Sequence, residues 1–301
     1  MAWPPSVVCR RIALVIFGLS LMLYTALSGL LFTLGLDARA TVIVGQVTVL
    51  FGLSLWLARL MRLPIREAFA LRPAGRVHWY MVFAAALPLQ VAGGAMQFGF
   101  VSTLPEDSPW RRIMEQVLSQ FVAMDGPLDL LMLFLAAVVT AAICEEFLFR
   151  GLLLQLMRRK AGWISAIIWS SVMFALYHLN PLVLVPITLV GAYLAILVWR
   201  SGSLYPAIVA HALNNGLALF GLPFIVDEAA YAEHYWLILG LSSALLAAMM
   251  IGYLRITPTP TEEPDDRLGP NADRGHPGPE LAATPTDPGA RSRQPATREQ
   301  P

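Results

Sequence analysis

Two adjacent carboxylates and a guanidinium stand inside an apolar run, Ala142-Ile143-Cys144-Glu145-Glu146-Phe147-Leu148-Phe149-Arg150-Gly151. A charged group at the centre of a bilayer costs about 2.5–3.5 kcal/mol on insertion scales, so ionisable residues there mark a function and call for named partners. Glu146 and Arg150 are four apart with the acid first, the arrangement that lets them pair along one helix face. Glu145 lies about 100° further around the same helix and must address a different neighbour. A carboxyl left over from such a pair can act as general base and then as general acid.

The other polar residues that do not suit lipid lie further along the chain: His178, then His211, Asn214 and Asn215. Phe174 and His178 are four apart, as are His211 and Asn215, so each pair shares a helical face. Asn214 lacks that spacing and is the weaker choice of the two asparagines. At 1.5 Å per residue, Glu145 is about 20 Å along its helix from Arg158, His178 about 24 Å from Gly162 and Asn215 about 18 Å from Ser203. These depths agree within a helical tilt, provided that the helix carrying Glu145 runs on through Leu152–Met157. A lone histidine or asparagine in a membrane helix is often only an interhelical hydrogen bond. Glu145, His178 and His211 in one bundle make a site the better reading.

The elements that must position these groups follow from the rest of the chain. Of 301 residues, 57% are hydrophobic and 14% charged, the mean hydropathy is +0.62 and the net charge is +1. That composition excludes an ordinary soluble domain and offers nothing to nucleic acid. Apolar runs at 12–34, 40–60, 78–101, 128–143, 163–179, 182–199, 204–223 and 235–256 predict an all-α, polytopic bundle of about eight transmembrane helices. Between the third and fourth, Ser108-Pro109 reads as an N-cap and first-turn proline. Trp110, Ile113, Met114, Val117, Leu118 and Phe121 then share one face, so this helix is expected to lie at the membrane interface.

Arg10, Arg11, the five arginines of 59–76, Arg158, Arg159, Lys160, Arg200 and Arg255 fall on one side of that arrangement, and Arg39, Arg111 and Arg112 on the other. This asymmetry predicts a multi-pass protein of the cell (plasma or inner) membrane with both termini cytoplasmic. Three regions are expected: 1–126 with three spans and the interfacial helix, a five-span catalytic core at 127–256, and a disordered Pro-rich tail at 257–301. Cys9 and Cys144 are too few for a disulfide framework or a cysteine zinc site.

At its polar residues the chain resembles the CPBP family of intramembrane proteases, also called the CAAX-protease, bacteriocin-processing or Abi family. The family's E-E-x-x-x-R stands as Glu145-Glu146-Phe147-Leu148-Phe149-Arg150, its F-x-x-x-H as Phe174 to His178, and its H-x-x-x-N as His211 to Asn215. Gly202-Ser203-Leu204-Tyr205-Pro206 looks like the family's entry to the last of these helices. The resemblance covers roughly 128–222. It implies an intramembrane endopeptidase in which Glu145 activates a water, His178 shares the proton work, and His211 and Asn215 stabilise the oxyanion. Glu146, Arg150 and Phe174 would support them.

Glu145, His178 and His211 would supply the ligands if a zinc ion takes part. The chain lacks H-E-x-x-H, and no obligatory metal is expected. The implied partners are the lipid bilayer and a membrane-associated, membrane-embedded or lipid-modified protein or peptide substrate. Two readings from other classes compete: a non-catalytic membrane scaffold or bacteriocin-immunity protein, and a proton-coupled transporter, which usually carries an inverted repeat that is not evident here.

Overall fold

A computed structural model describes residues 6–221 and 226–258. The tail expected at 257–301 lies, from residue 259 on, outside the described residues. Every element in them is helical: α1 (Ser6–Thr33), α2 (Ala38–Leu60), the short α3 (Ile65–Ala68), α4 (Arg76–Ser102), α5 (Pro109–Val122), α6 (Pro127–Arg159), α7 (Gly162–Tyr177), α8 (Leu184–Ser201), α9 (Tyr205–Gly216) and α10 (Glu228–Ile256).

Among the described residues six helical stretches are long and apolar enough to cross a membrane: Arg11–Thr33, Ala38–Leu60, Arg76–Ser102, Pro127–Arg159, Pro181–Ser201 and Ala229–Ile256. The remaining two of the eight expected spans exist as shorter helices. α7 follows α6 directly across Gly162, whose φ of +71° a residue with a Cβ adopts only with strain, and α9 has 12 residues before π-helical turns at Leu217–Gly221 extend it. Apolar periodicity marks their presence, and chain length leaves them short of the roughly 20 residues a full crossing takes. α6 is the opposite case: its 33 residues run unbroken past Arg150, as the depth comparison required.

Many large apolar side chains face outward, among them Leu30, Phe83, Leu237 and Leu241, as befits helices whose solvent is lipid. The interior is therefore held by close packing and a few polar ties rather than by an inside–outside hydrophobic contrast. The second half of α6 is its centre, with Leu148, Phe149, Leu152, Leu153 and Leu154 fully buried. Phe69, just beyond α3, lies with its ring centroid 5.0 Å from that of Phe147, so the arginine-rich connection after α2 is part of the core and not only a loop. Tyr177 Oη donates to Ser20 O at 3.1 Å, tying α7 to α1, and Tyr193 Oη donates to Met81 O at 3.1 Å, tying α8 to α4.

α5 begins at Pro109 as predicted, but Ser108 is a cap by position only: its side chain makes no capping bond. The helix carries Trp110, Ile113 and Leu118 exposed, an apolar face that the rest of the bundle leaves uncovered. Its far end is tied down by Arg39, which donates to Ala123 O at 2.8 Å and pairs with Asp129 at 3.1 Å.

Candidate active site

The site forms where α6 is locally underwound to a wider helix. π-helical turns at Phe134–Thr140 and Phe147–Leu153 flank the α-helical stretch Ala141–Glu146, which carries both carboxylates. π-turns insert a residue without breaking the helix and so change which face later side chains occupy; they are frequent at functional sites. α2 contains a third such stretch, Gln46–Leu53, beside the same region of α6.

Glu146 and Arg150 are both completely buried, and Arg150 Nη1 donates to Glu146 Oε1 at 2.7 Å. The other guanidinium nitrogen, Nη2, donates to Gly191 O at 3.0 Å, which brings α8 into the arrangement. Glycine suits that approach: a Cβ at position 191 would stand 3.1 Å from Ser171 Cα and 3.3 Å from Arg150 Nη2, so these neighbours would have to give by a few tenths of an ångström. The guanidinium lies 4.2 Å from the Phe174 ring centroid, a cation–π contact worth roughly 0.5–2 kcal/mol.

Phe174 is the common surface of the site. His178 meets its ring edge-on at 5.1 Å and His211 at 5.6 Å, so the two histidines and Arg150 gather about one aromatic side chain. His211 is 2% exposed, and its Nδ1 lies 3.0 Å from Glu146 Oε1. Because that oxygen already accepts from Arg150, it acts as an acceptor towards the imidazole as well, and Nδ1 carries the proton. Nε2 then faces Oε2 of Glu145 at 3.8 Å.

Glu145 is half turned away from this pair, as its place on the helix demands. Its Oε1 accepts from Gln46 Nε2 at 3.2 Å, and Oε2 has no hydrogen-bond partner among the described residues. Gln46 Oε1 in turn accepts from Thr140 Oγ1 at 2.7 Å. His178 sits at the exposed end of α7 with Nδ1 bonded to Phe174 O at 2.9 Å, so in the neutral ring Nε2 is its open acceptor. Asn215 Nδ2 donates to Ala137 O at 2.8 Å, pinning α9 to α6 and leaving its second amide hydrogen without a partner among the described residues.

All seven residues singled out in the sequence therefore fall in one region, with Glu145, Glu146 and His211 in direct register. His178 joins them through Phe174 and not through a contact with Glu145. Gln46, Thr140 and Gly191 were not foreseen. A lone glutamine in the apolar run 40–60 was the available signal for Gln46; the other two are ordinary membrane-helix residues whose role depends on which helix they face.

A zinc ion would need Glu145, His178 and His211 to converge. The hydrogen bonds at Nδ1 leave Nε2 of each histidine available, but no group of three His, Cys, Asp or Glu side chains among the described residues is arranged to hold a metal. The donor set as placed does not fit one.

Residues 127–217 match the family model described as type II CAAX prenyl endopeptidase, Rce1-like, a stretch that begins with α6 and ends just beyond Asn215. No curated protein and no solved structure matches the chain. The chain is thus an all-α, multi-pass bundle that is similar to the CAAX-protease family over residues 127–217.

Proposed function

We propose that this protein is an intramembrane endopeptidase that hydrolyses peptide bonds of membrane-embedded or lipid-modified substrates through a water activated by Glu145. The observation that carries this reading is the pairing of an unengaged Glu145 Oε2 with His211 Nε2 at 3.8 Å above a fully buried Glu146–Arg150 pair. A single water held about 2.8 Å from both atoms would bridge them, at an interior position since Oε2 is itself buried.

In the first step Glu145 takes a proton from that water while the hydroxide oxygen bonds to the substrate carbonyl carbon, placing the electron pair on the carbonyl oxygen. The second amide hydrogen of Asn215 and a protonated His211 are the donors for that oxyanion. The C–N bond then breaks, and the proton held by Glu145 passes to the leaving amine, with Nε2 of His178 as the alternative carrier. Glu146 and Arg150 hold the Nδ1–H of His211 and keep its ring in one orientation throughout. A groove of about 460 Å³ lined by Pro127, Leu130, Leu131, Phe134 and Phe220 opens along the same α6–α9 seam and favours an apolar substrate chain.

The surrounding arrangement is a cytoplasmic placement of both termini in the cell membrane, with 127–256 as the catalytic core. Purified protein in proteoliposomes, given a peptide ending in a farnesylated CAAX sequence or an unprenylated transmembrane peptide, is expected to cleave at least one. Glu145→Gln is expected to lose activity about 10²–10⁴-fold with an unchanged unfolding temperature. Retained cleavage in that variant would exclude Glu145 as the base.

A further inference from the structure

The two oxygens of the Glu145 carboxylate have different surroundings: Oε1 is held by Gln46 and Oε2 is open towards His211. A carboxylate rotates freely about its terminal torsion, which is broad and two-fold, so nothing in Glu145 itself distinguishes the two. Gln46 does, because its amide hydrogen engages one of them. The amide must also be the right way round, since the shape of its O and N ends is nearly the same. The Glu145 carboxylate, which only accepts, decides that by taking the N–H end, and Thr140, whose hydroxyl can donate, holds the O end. Thr140 Oγ1 lies 2.7 Å from Gln46 Oε1 and 3.0 Å from Leu135 O and Ala136 O, all acceptors, and its single proton has its shortest contact with Gln46.

We propose that Gln46 is a positioning residue for Glu145, held in place by Thr140, and that this relay across α2 and α6 selects Oε2 as the oxygen that meets the water. The inference rests on the peptidase reading. Gln46 is 4% exposed and outside the 127–217 segment, so the relay gives the first spans a part in the chemistry. An amide suits the place: it donates to a carboxylate without adding a charge beside the buried Glu146–Arg150 pair.

The test uses full-length protein in proteoliposomes with the two peptide probes named above. Gln46→Met keeps length and removes the donor; it is expected to lower kcat about 10–100-fold and to leave KM within about twofold, since misplacement of a reacting group by about 1 Å costs that order. Thr140→Val should lose about 3–10-fold, and Thr140→Ser, which keeps the hydroxyl, should recover nearly all of it. The double variant Gln46→Met/Thr140→Val should be no worse than Gln46→Met alone, because Thr140 acts through Gln46.

Wild-type kcat in Gln46→Met, or losses that multiply in the double variant, would overturn the relay while leaving the peptidase reading intact. A fall in unfolding temperature that tracks the loss in kcat and is shared by Thr140→Ser would assign these residues to packing and overturn it too. Cleavage of neither probe by the wild-type protein would remove the peptidase reading and the relay with it.

Discussion

His211 Nδ1 stands 3.0 Å from Oε1 of Glu146, the same oxygen that accepts from Arg150 Nη1 at 2.7 Å. Glu146 therefore does more than neutralise a buried arginine. It joins α9 to α6 and fixes the face that His211 turns to Glu145. The pair that makes the charge tolerable also sets the geometry of the site.

That dual role has an asymmetric consequence for stability. Removing one member of a buried pair leaves an uncompensated charge and costs about 3–5 kcal/mol, whereas replacing both costs far less. Arg150→Met should thus lower the unfolding temperature in detergent more than Glu146→Gln/Arg150→Met does. Equal losses would mean that the two side chains are not coupled.

The two histidines should separate in experiment. His211 is buried and hydrogen-bonded, so His211→Ala is expected to reduce both unfolding temperature and cleavage, the latter about 10²–10³-fold. His178 is exposed at a helix end, so His178→Ala should stay within about 0.5 kcal/mol of wild-type stability while cleavage falls. Undiminished cleavage by His178→Ala would take it out of the mechanism.

Gly191→Ala probes the α7–α8 approach. Its Cβ would press on the Ser171 backbone and on Arg150 Nη2, and separating the helices should cost about 1–3 kcal/mol. Because the same carbonyl holds Arg150, activity should fall further than in a variant of equal instability placed on the lipid-facing side. A proportionate fall would leave the effect to packing alone.

Away from the site, Asp37 caps α2 by accepting from the backbone N–H groups of Arg39 and Ala40. Partial burial works to raise its carboxyl, but the Arg39 side chain and these N–H groups outweigh that and hold it below the usual carboxylate range. A lowered folded value stabilises at a pH above the unfolded value, about 4, and the contribution disappears as pH falls through the folded value. Asp37→Ala should cost about 1 kcal/mol near neutrality, and the difference from wild type should close under acid conditions. A difference that persists at low pH would point to packing by the Asp37 side chain instead.

How much of this was legible without coordinates follows from the kind of information each feature carries. The i,i+4 pairing of Glu146 with Arg150 is written in local spacing, as are the shared faces of Phe174 with His178 and of His211 with Asn215. An acid in an apolar run is conspicuous because lipid cannot solvate it. The helical, membrane-spanning character of the chain is likewise local, being a matter of hydropathy over windows of about 20 residues. What spacing could not supply is which helices meet and at what rotation. The π-helical turns in α2 and α6 shift the faces on which Gln46, Thr140 and Arg150 lie, and no regular 3.6-residue period predicts that shift. Glutamine, threonine and glycine are common enough in membrane helices to pass unremarked until a neighbour gives them a partner. By itself the sequence determined that Glu145 would be left over from the Glu146–Arg150 pair and need partners on later helices. Only the tertiary structure decided that Glu146 would hold His211, that Glu145 would take its anchor from α2, and that His178 would reach them by way of Phe174, because contacts between helices depend on packing and local winding that no single segment encodes.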